Sequence, residues 1–105
     1  VRQRRRHRVT VGHADIPELA QAVRAFGNAS EYVPAGIAAL AVMAVVGVPA
    51  LAIHLIGLTL LLGRLSHAIG LSRSTGATLP RAIGVVATWL AYVGAAVALL
   101  FYAIP

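Results

Sequence analysis

Arg24, Asn28 and Glu31 are the residues of this sequence best placed to do chemistry. Spacings of four and then three stack a guanidinium, an amide and a carboxylate on one helical face, with Tyr32 flanking the stripe. Arg64 and His67, three apart, form a second such face. Arg81, Thr88 and Tyr92, at spacings of seven and four, form a third. Arginine grips a carboxylate bidentately, and glutamate accepts from an ammonium group. Convergent groups of these kinds suit a small zwitterion bearing carboxylates. If that ligand carries a thiol, a neighbouring arginine stabilises its thiolate, and the protein then needs no nucleophile of its own. It has no cysteine, which excludes disulfides and thiolate metal sites. The four histidines share no close ligand spacing, so no metal site is expected.

The elements that must position these faces read as membrane spans. The chain of 105 residues is 59% hydrophobic and 11% charged, whereas ordinary soluble chains carry about 25% charged residues. Val33 to Gly63 contains no formal charge, while Arg2, Arg4, Arg5, Arg6 and Arg8 crowd the first eight residues. A net charge of +6 raises nucleic acid as a partner. A short arginine cluster beside apolar spans is instead what a cytoplasmic flank requires, with anionic lipid headgroups facing it. No nucleic-acid partner is expected. Ionisable groups within such spans are costly and default to functional candidates; the alternative is a structural polar cluster that locks helices together.

Residues 1–15 read as a basic arm and loop with no signal-peptide character, and the sequence begins at Val1 without Met. A first long helix is expected over about 17–47, with Asp15 as its cap, Pro17 in its first turn and Glu18 completing a capping box. Pro34 should kink it. Gly47-Val48-Pro49 reads as a tight uncharged turn. A second helix follows over about 50–72, then a polar loop, then a third helix over about 80–103, each close to the roughly 20 residues a bilayer needs. Trp89 falls mid-span, and Tyr102 suits an interfacial anchor. Arg8, Arg73 and Arg81 cluster at one end of the spans, which predicts a cytoplasmic arm and 72–80 loop. His54, near the other end, reads as an interfacial or interhelical hydrogen bonder. Asn28-Ala29-Ser30 matches a glycosylation sequon but lies in a helix at membrane depth and is set aside. Gly36, Gly57, Gly63, Gly84 and Gly94 permit close helix approach. The fold expected is an all-α integral membrane helical bundle, oligomeric, in one domain over 1–105.

Arg24-Ala25-Phe26-Gly27-Asn28-Ala29-Ser30-Glu31-Tyr32-Val33-Pro34 resembles the signature R-x-x-x-N-x-x-E-Y-x-P of the MAPEG family, membrane-associated proteins in eicosanoid and glutathione metabolism. Gly63-Arg64-Leu65-Ser66-His67 resembles the family's G-R-x-x-H motif. Arg8 to Gly12, followed by Pro17-Glu18-Leu19, is similar to the connection before the second helix of small bacterial members. The resemblance implies a four-helix protomer in a homotrimer, its first helix absent here or upstream of Val1, with Arg4 and Arg5 near that helix's basic end. It implies glutathione bound as co-substrate between protomers on the cytoplasmic side. Arg24, Asn28, Glu31 and Tyr32 match glutathione contacts, Arg64 and His67 would help hold the site, and Arg81 matches the arginine that activates the thiol. Leu71 stands near a position that often carries Tyr in glutathione-binding relatives, and Phe26 replaces a polar residue of some members.

The function expected is a glutathione-dependent transferase or peroxidase acting on lipophilic electrophiles, in what would be a bacterial inner membrane. The rival is a non-catalytic oligomeric membrane protein whose polar stripes are structural. A small multidrug-type transporter fits less well, because the one membrane acid, Glu31, sits near the helix entry among basic partners.

Overall fold

The structure, a computed structural model, describes residues 1–74 and 76–104. Thr75, inside the expected 72–80 loop, and Pro105 lie outside the described residues. Four helices follow one another: α1 (Arg2–His7), α2 (Pro17–Val46), α3 (Ala50–Arg73) and α4 (Leu79–Ala103). The last three are long and apolar enough to cross a membrane, and the protein is an all-α membrane bundle. Its extents of 55 × 28 × 17 Å describe a slab little thicker than one helix, whose diameter is about 10–12 Å. Apolar side chains such as Ile37, Leu61, Trp89, Val93 and Phe101 therefore remain exposed on its flanks.

The Gly47 turn closes as its sequence demands. The Val48 N–H bonds to the Met43 carbonyl at 3.0 Å and the Gly47 N–H to that of Ala44 at 3.3 Å. This paired ending needs a left-handed residue, and Gly47 supplies it at φ 90°. The lost hydrogen bond at Pro34 does not end α2, which continues on both sides of it.

Glycines set the closeness of α3 and α4. A Cβ added to Gly84 would lie 2.5 Å from the His67 amide nitrogen and 2.6 Å from the Gly63 carbonyl oxygen. One added to Gly70 would lie 2.6 Å from the Arg81 nitrogen, so the first turn of α4 rests directly on the backbone of α3. A Cβ at Gly94 would meet Ile56 in ordinary contact and one at Gly57 would press on Leu40 at 3.3 Å, while Gly36 packs beneath Leu60.

Three local expectations are corrected. The arm is partly helical, as α1. Asp15 does not cap α2: it adopts φ 55° and Ile16 takes the cap position, with no side-chain cap bond. A left-handed Asp15 lacks the extended backbone that a cap residue takes, and its own N–H donates to His13 Nδ1 at 3.2 Å. His54 bonds within its own helix, to the Ala50 carbonyl at 2.6 Å, which removes the interhelical one of its two expected roles and does not touch the interfacial one.

Candidate functional site

The three polar faces meet at the end of the bundle that carries α1 and the loop before α4. Arg24 lies two turns into α2, His67 and Leu71 fall near the end of α3, and Arg81 opens α4. They are brought together because Gly70 lets the start of α4 lie on α3. Ser66 Oγ secures that contact by donating to the Pro80 carbonyl at 2.8 Å. The Arg81 guanidinium reaches back towards the Gly76 carbonyl at 3.5 Å.

Arg24, Gly27, Asn28, Glu31, His67, Leu71 and Arg81 line one cleft of about 300 Å³, at the small end of ligand-site volumes. Two fixed positive charges and one carboxylate face it, which leaves a net positive charge with a single acceptor for an ammonium group. Leu71, buried, presents only carbon to this space. Among the described residues no three His, Asp or Glu side chains gather in a way that could hold a metal ion.

Tyr32 and Arg64 lie outside that lining. They form a layer behind it. The Arg64 guanidinium donates to Asn28 Oδ1 and contacts His67 Nδ1 at 3.3 Å. It also lies 5.1 Å from the centre of the Tyr32 ring, within cation–π range. With Nδ1 accepting, the His67 proton is on Nε2 and available to an oxygen in the cleft. The Tyr92 phenol donates to the Tyr32 carbonyl across α4 and α2, the two rings 6.2 Å apart. Asn28 thus answers to Arg64 through its Oδ1. Thr88, also on the α4 stripe, is buried and donates to its own helix, to the Gly84 carbonyl at 2.7 Å.

Tyr92 was legible as a member of the α4 stripe, but nothing in its spacing said that it meets Tyr32. Leu71 as cleft wall follows from His67, one turn earlier on the same face. Gly70 carried a signal in standing seven residues after Gly63, the repeat of a close helix seam.

Length bounds the depth of this site. The 30 residues of α2 span about 45 Å, against a hydrocarbon core of about 30 Å. The turn at Gly47 is short and uncharged, so the excess, about 15 Å or ten residues, projects at the other end, over roughly 17–26. For an upright α2 this sets Arg24 at headgroup level and Glu31 about a turn inside the hydrocarbon boundary; tilt shortens the projecting stretch.

Fold and cleft together define a polytopic membrane protein with a polar cleft at one end of its helices. The chain belongs to the MAPEG family, whose model matches residues 1–101. It is 36% identical over 102 residues to the inner membrane protein YecN of Escherichia coli strain K12, an alignment covering 97% of this chain and 76% of that protein. The inner membrane protein YecN of Escherichia coli O6:H1 matches with the same identity and coverage. No solved structure matches the chain at a significant level.

Proposed function

We propose that the cleft binds glutathione and that the protein is a glutathione-dependent transferase or peroxidase acting on lipophilic electrophiles. The observation that carries this reading is the single cleft shared by Arg24, Asn28, Glu31, His67 and Arg81. Glutathione offers two carboxylates, one ammonium group and a thiol. Arg24 and the His67 Nε2–H are suited to a carboxylate, Glu31 to the ammonium group, and Arg81 to the thiolate. In the transfer step the thiol proton leaves to solvent. The sulfur then forms a bond to the electrophilic carbon, either as the bond to a leaving group breaks and that group departs with its electron pair, or as a π pair shifts to the adjacent atom, which takes a proton from solvent. Arg81 lowers the barrier by holding the sulfur anionic. Arg64 and Tyr32 act as positioning residues, fixing Asn28 and His67 from behind. The depth of the site supports the pairing of substrates, since a polar co-substrate reaches it from water and a lipophilic one from the bilayer.

Membership of the family supports assembly as a homotrimer, as the resemblance implies. The relatives' inner-membrane description and the basic end support a bacterial inner membrane with the arm and the 72–80 loop cytoplasmic. The rival, a non-catalytic membrane protein with structural polar stripes, draws on Arg64, whose guanidinium already has Asn28 and His67 as partners.

Absorbance of the glutathione thiolate separates the two. In lipid nanodiscs the full chain should raise that absorbance saturably at millimolar glutathione. Arg81→Ala should remove the rise while leaving binding measurable by calorimetry, and turnover should drop about a hundredfold or more. Absence of binding at millimolar concentration would hand the case to the rival.

A further inference from the structure

The start of α4 lacks the support that a helix N-terminus usually has. Thr78 stands at its cap position but makes no side-chain bond to the α4 amides, and its buried hydroxyl has no partner among the described residues. Pro80, in the first turn, has no N–H to offer. What holds this turn comes from α3. The Ser66 hydroxyl donates to the Pro80 carbonyl at 2.8 Å. Gly70, one turn further along α3, sits so close that a Cβ there would lie 2.6 Å from the Arg81 nitrogen and 2.9 Å from the Arg81 Cβ. Carbonyl and nitrogen belong to one peptide, Pro80–Arg81, which α3 therefore grips at both ends.

The Ser66 bond is not the one a serine makes by default inside a helix. Ser30 donates to the Phe26 carbonyl, Thr59 to that of Leu55 and Thr88 to that of Gly84, each four residues back in its own helix. Ser66 has an own-helix carbonyl at the same spacing, that of Leu62, and directs its proton across the seam of α3 and α4 instead. The Pro80 carbonyl has two lone pairs, so it takes this bond in addition to its helical one. Beyond the gripped peptide Arg81 is held loosely, its Nη1 meeting the Gly76 carbonyl only at 3.5 Å, the outer limit of a hydrogen bond. Where the guanidinium stands in the cleft is then set at its base and not at its tip. We propose that Ser66 is the positioning residue for Arg81, its hydroxyl fixing the peptide from which the guanidinium reaches the sulfur. The identity of that sulfur rests on the glutathione reading; the tether of Arg81 does not.

Ser66→Ala removes only the hydroxyl and leaves the Pro80 carbonyl its helical bond, so the fold should stand. Thr59→Val, on the same helix, removes a hydroxyl whose bond stays within that helix. Both variants and Ser66→Thr are compared with the parent as the full chain in lipid nanodiscs. The first readout needs no ligand. The guanidinium NMR resonance of Arg81, assigned with Arg81→Gln, should be sharp in the parent, in Thr59→Val and in Ser66→Thr. In Ser66→Ala it should broaden or split while that of Arg64 does not change. The second readout is the pH at which half of the bound glutathione is thiolate. Ser66→Ala should raise it by about half a unit, or about threefold less thiolate at any pH well below it. The same factor should come off kcat with KM unchanged, and Ser66→Thr should restore the parent's values. An Arg81 resonance unaltered in Ser66→Ala overturns the proposal, whatever glutathione does. So does a broadened resonance with an unaltered thiolate midpoint, or an equal shift from Thr59→Val. A parent that binds no glutathione would end the transferase reading and leave the resonance alone to decide whether Ser66 holds Arg81.

Discussion

At the Gly47 end of the bundle Met43, Val48 and Ala95 are fully buried, packed against Leu40, Ile53, Ile56 and Leu99. At the Arg81 end the helices are joined instead by Arg64 to Asn28, Tyr92 to Tyr32, and Ser66 to Pro80, and a cleft opens beside those bonds. In lipid, apolar side chains gain no hydrophobic free energy by leaving their surroundings for one another, so the apolar end holds through fit alone. Fit leaves no volume. Directional bonds reach across a gap and need only their partners satisfied, so helices can be held in register while space remains for a ligand. The chain thus separates a closed, packed end from an open, bonded one, with the glycine seam of α3 and α4 common to both.

That seam gives the largest expected effect. Gly84→Leu puts a side chain where the His67 nitrogen and Gly63 oxygen already stand, and backbone cannot step aside as a flexible side chain does. Overpacking costs about 1–3 kcal/mol where a core can adjust, and here the cost should reach or exceed the top of that range. Both ends should fail together, seen as loss of the cooperative unfolding transition and of ligand binding in one variant. A Gly84→Leu protein that unfolds like the parent would mean that α3 and α4 are not in backbone contact. Met43→Ala comes next and should act at one end only. In lipid the transfer part of a core truncation largely cancels and the cavity part remains, so a loss of about 1–2 kcal/mol is expected. Glutathione affinity should be unchanged. A shift in affinity would mean that the closed end transmits its packing to the cleft.

How much of this was legible depended on the range of the forces involved. The three long helices and the Gly47 break follow from hydropathy and turn chemistry, both local. α1 did not, because six polar residues, Arg2–His7, have no apolar period; the Arg4 bonds to the Thr10 and Gly12 carbonyls that accompany α1 are contacts between separate segments. The Asp15 cap failed for a related reason. Besides Gly12, three residues of that connection, Arg8, Ala14 and Asp15, take positive φ, a region that arginine and alanine rarely visit and aspartate only somewhat more often. In the site, helical spacing reveals which residues share a face. It is silent on the rotation of one helix against another, and that rotation sets Arg64 and Tyr32 behind the cleft with Arg24 and Glu31 on its wall.

The smallest effect tests the comparison most finely. Tyr92→Phe keeps the ring beside Tyr32 and removes only the hydroxyl that donates to the Tyr32 carbonyl. Such bonds within a bilayer average about 0.6 kcal/mol, so the unfolding midpoint should barely move. The loss is local, however. α2 is tied to α4 here at a point two residues before Pro34, where the helix already lacks one bond of its own ladder. Removing the tie should speed amide exchange over about 28–36 and leave 43–48 as slow as before, because the Met43 cluster does not share this bond. Exchange that quickens equally in both stretches would show that α2 moves as one rod and that the two ends are not independent. Exchange unchanged in both would mean that the carbonyl is held by the helix without help from the phenol.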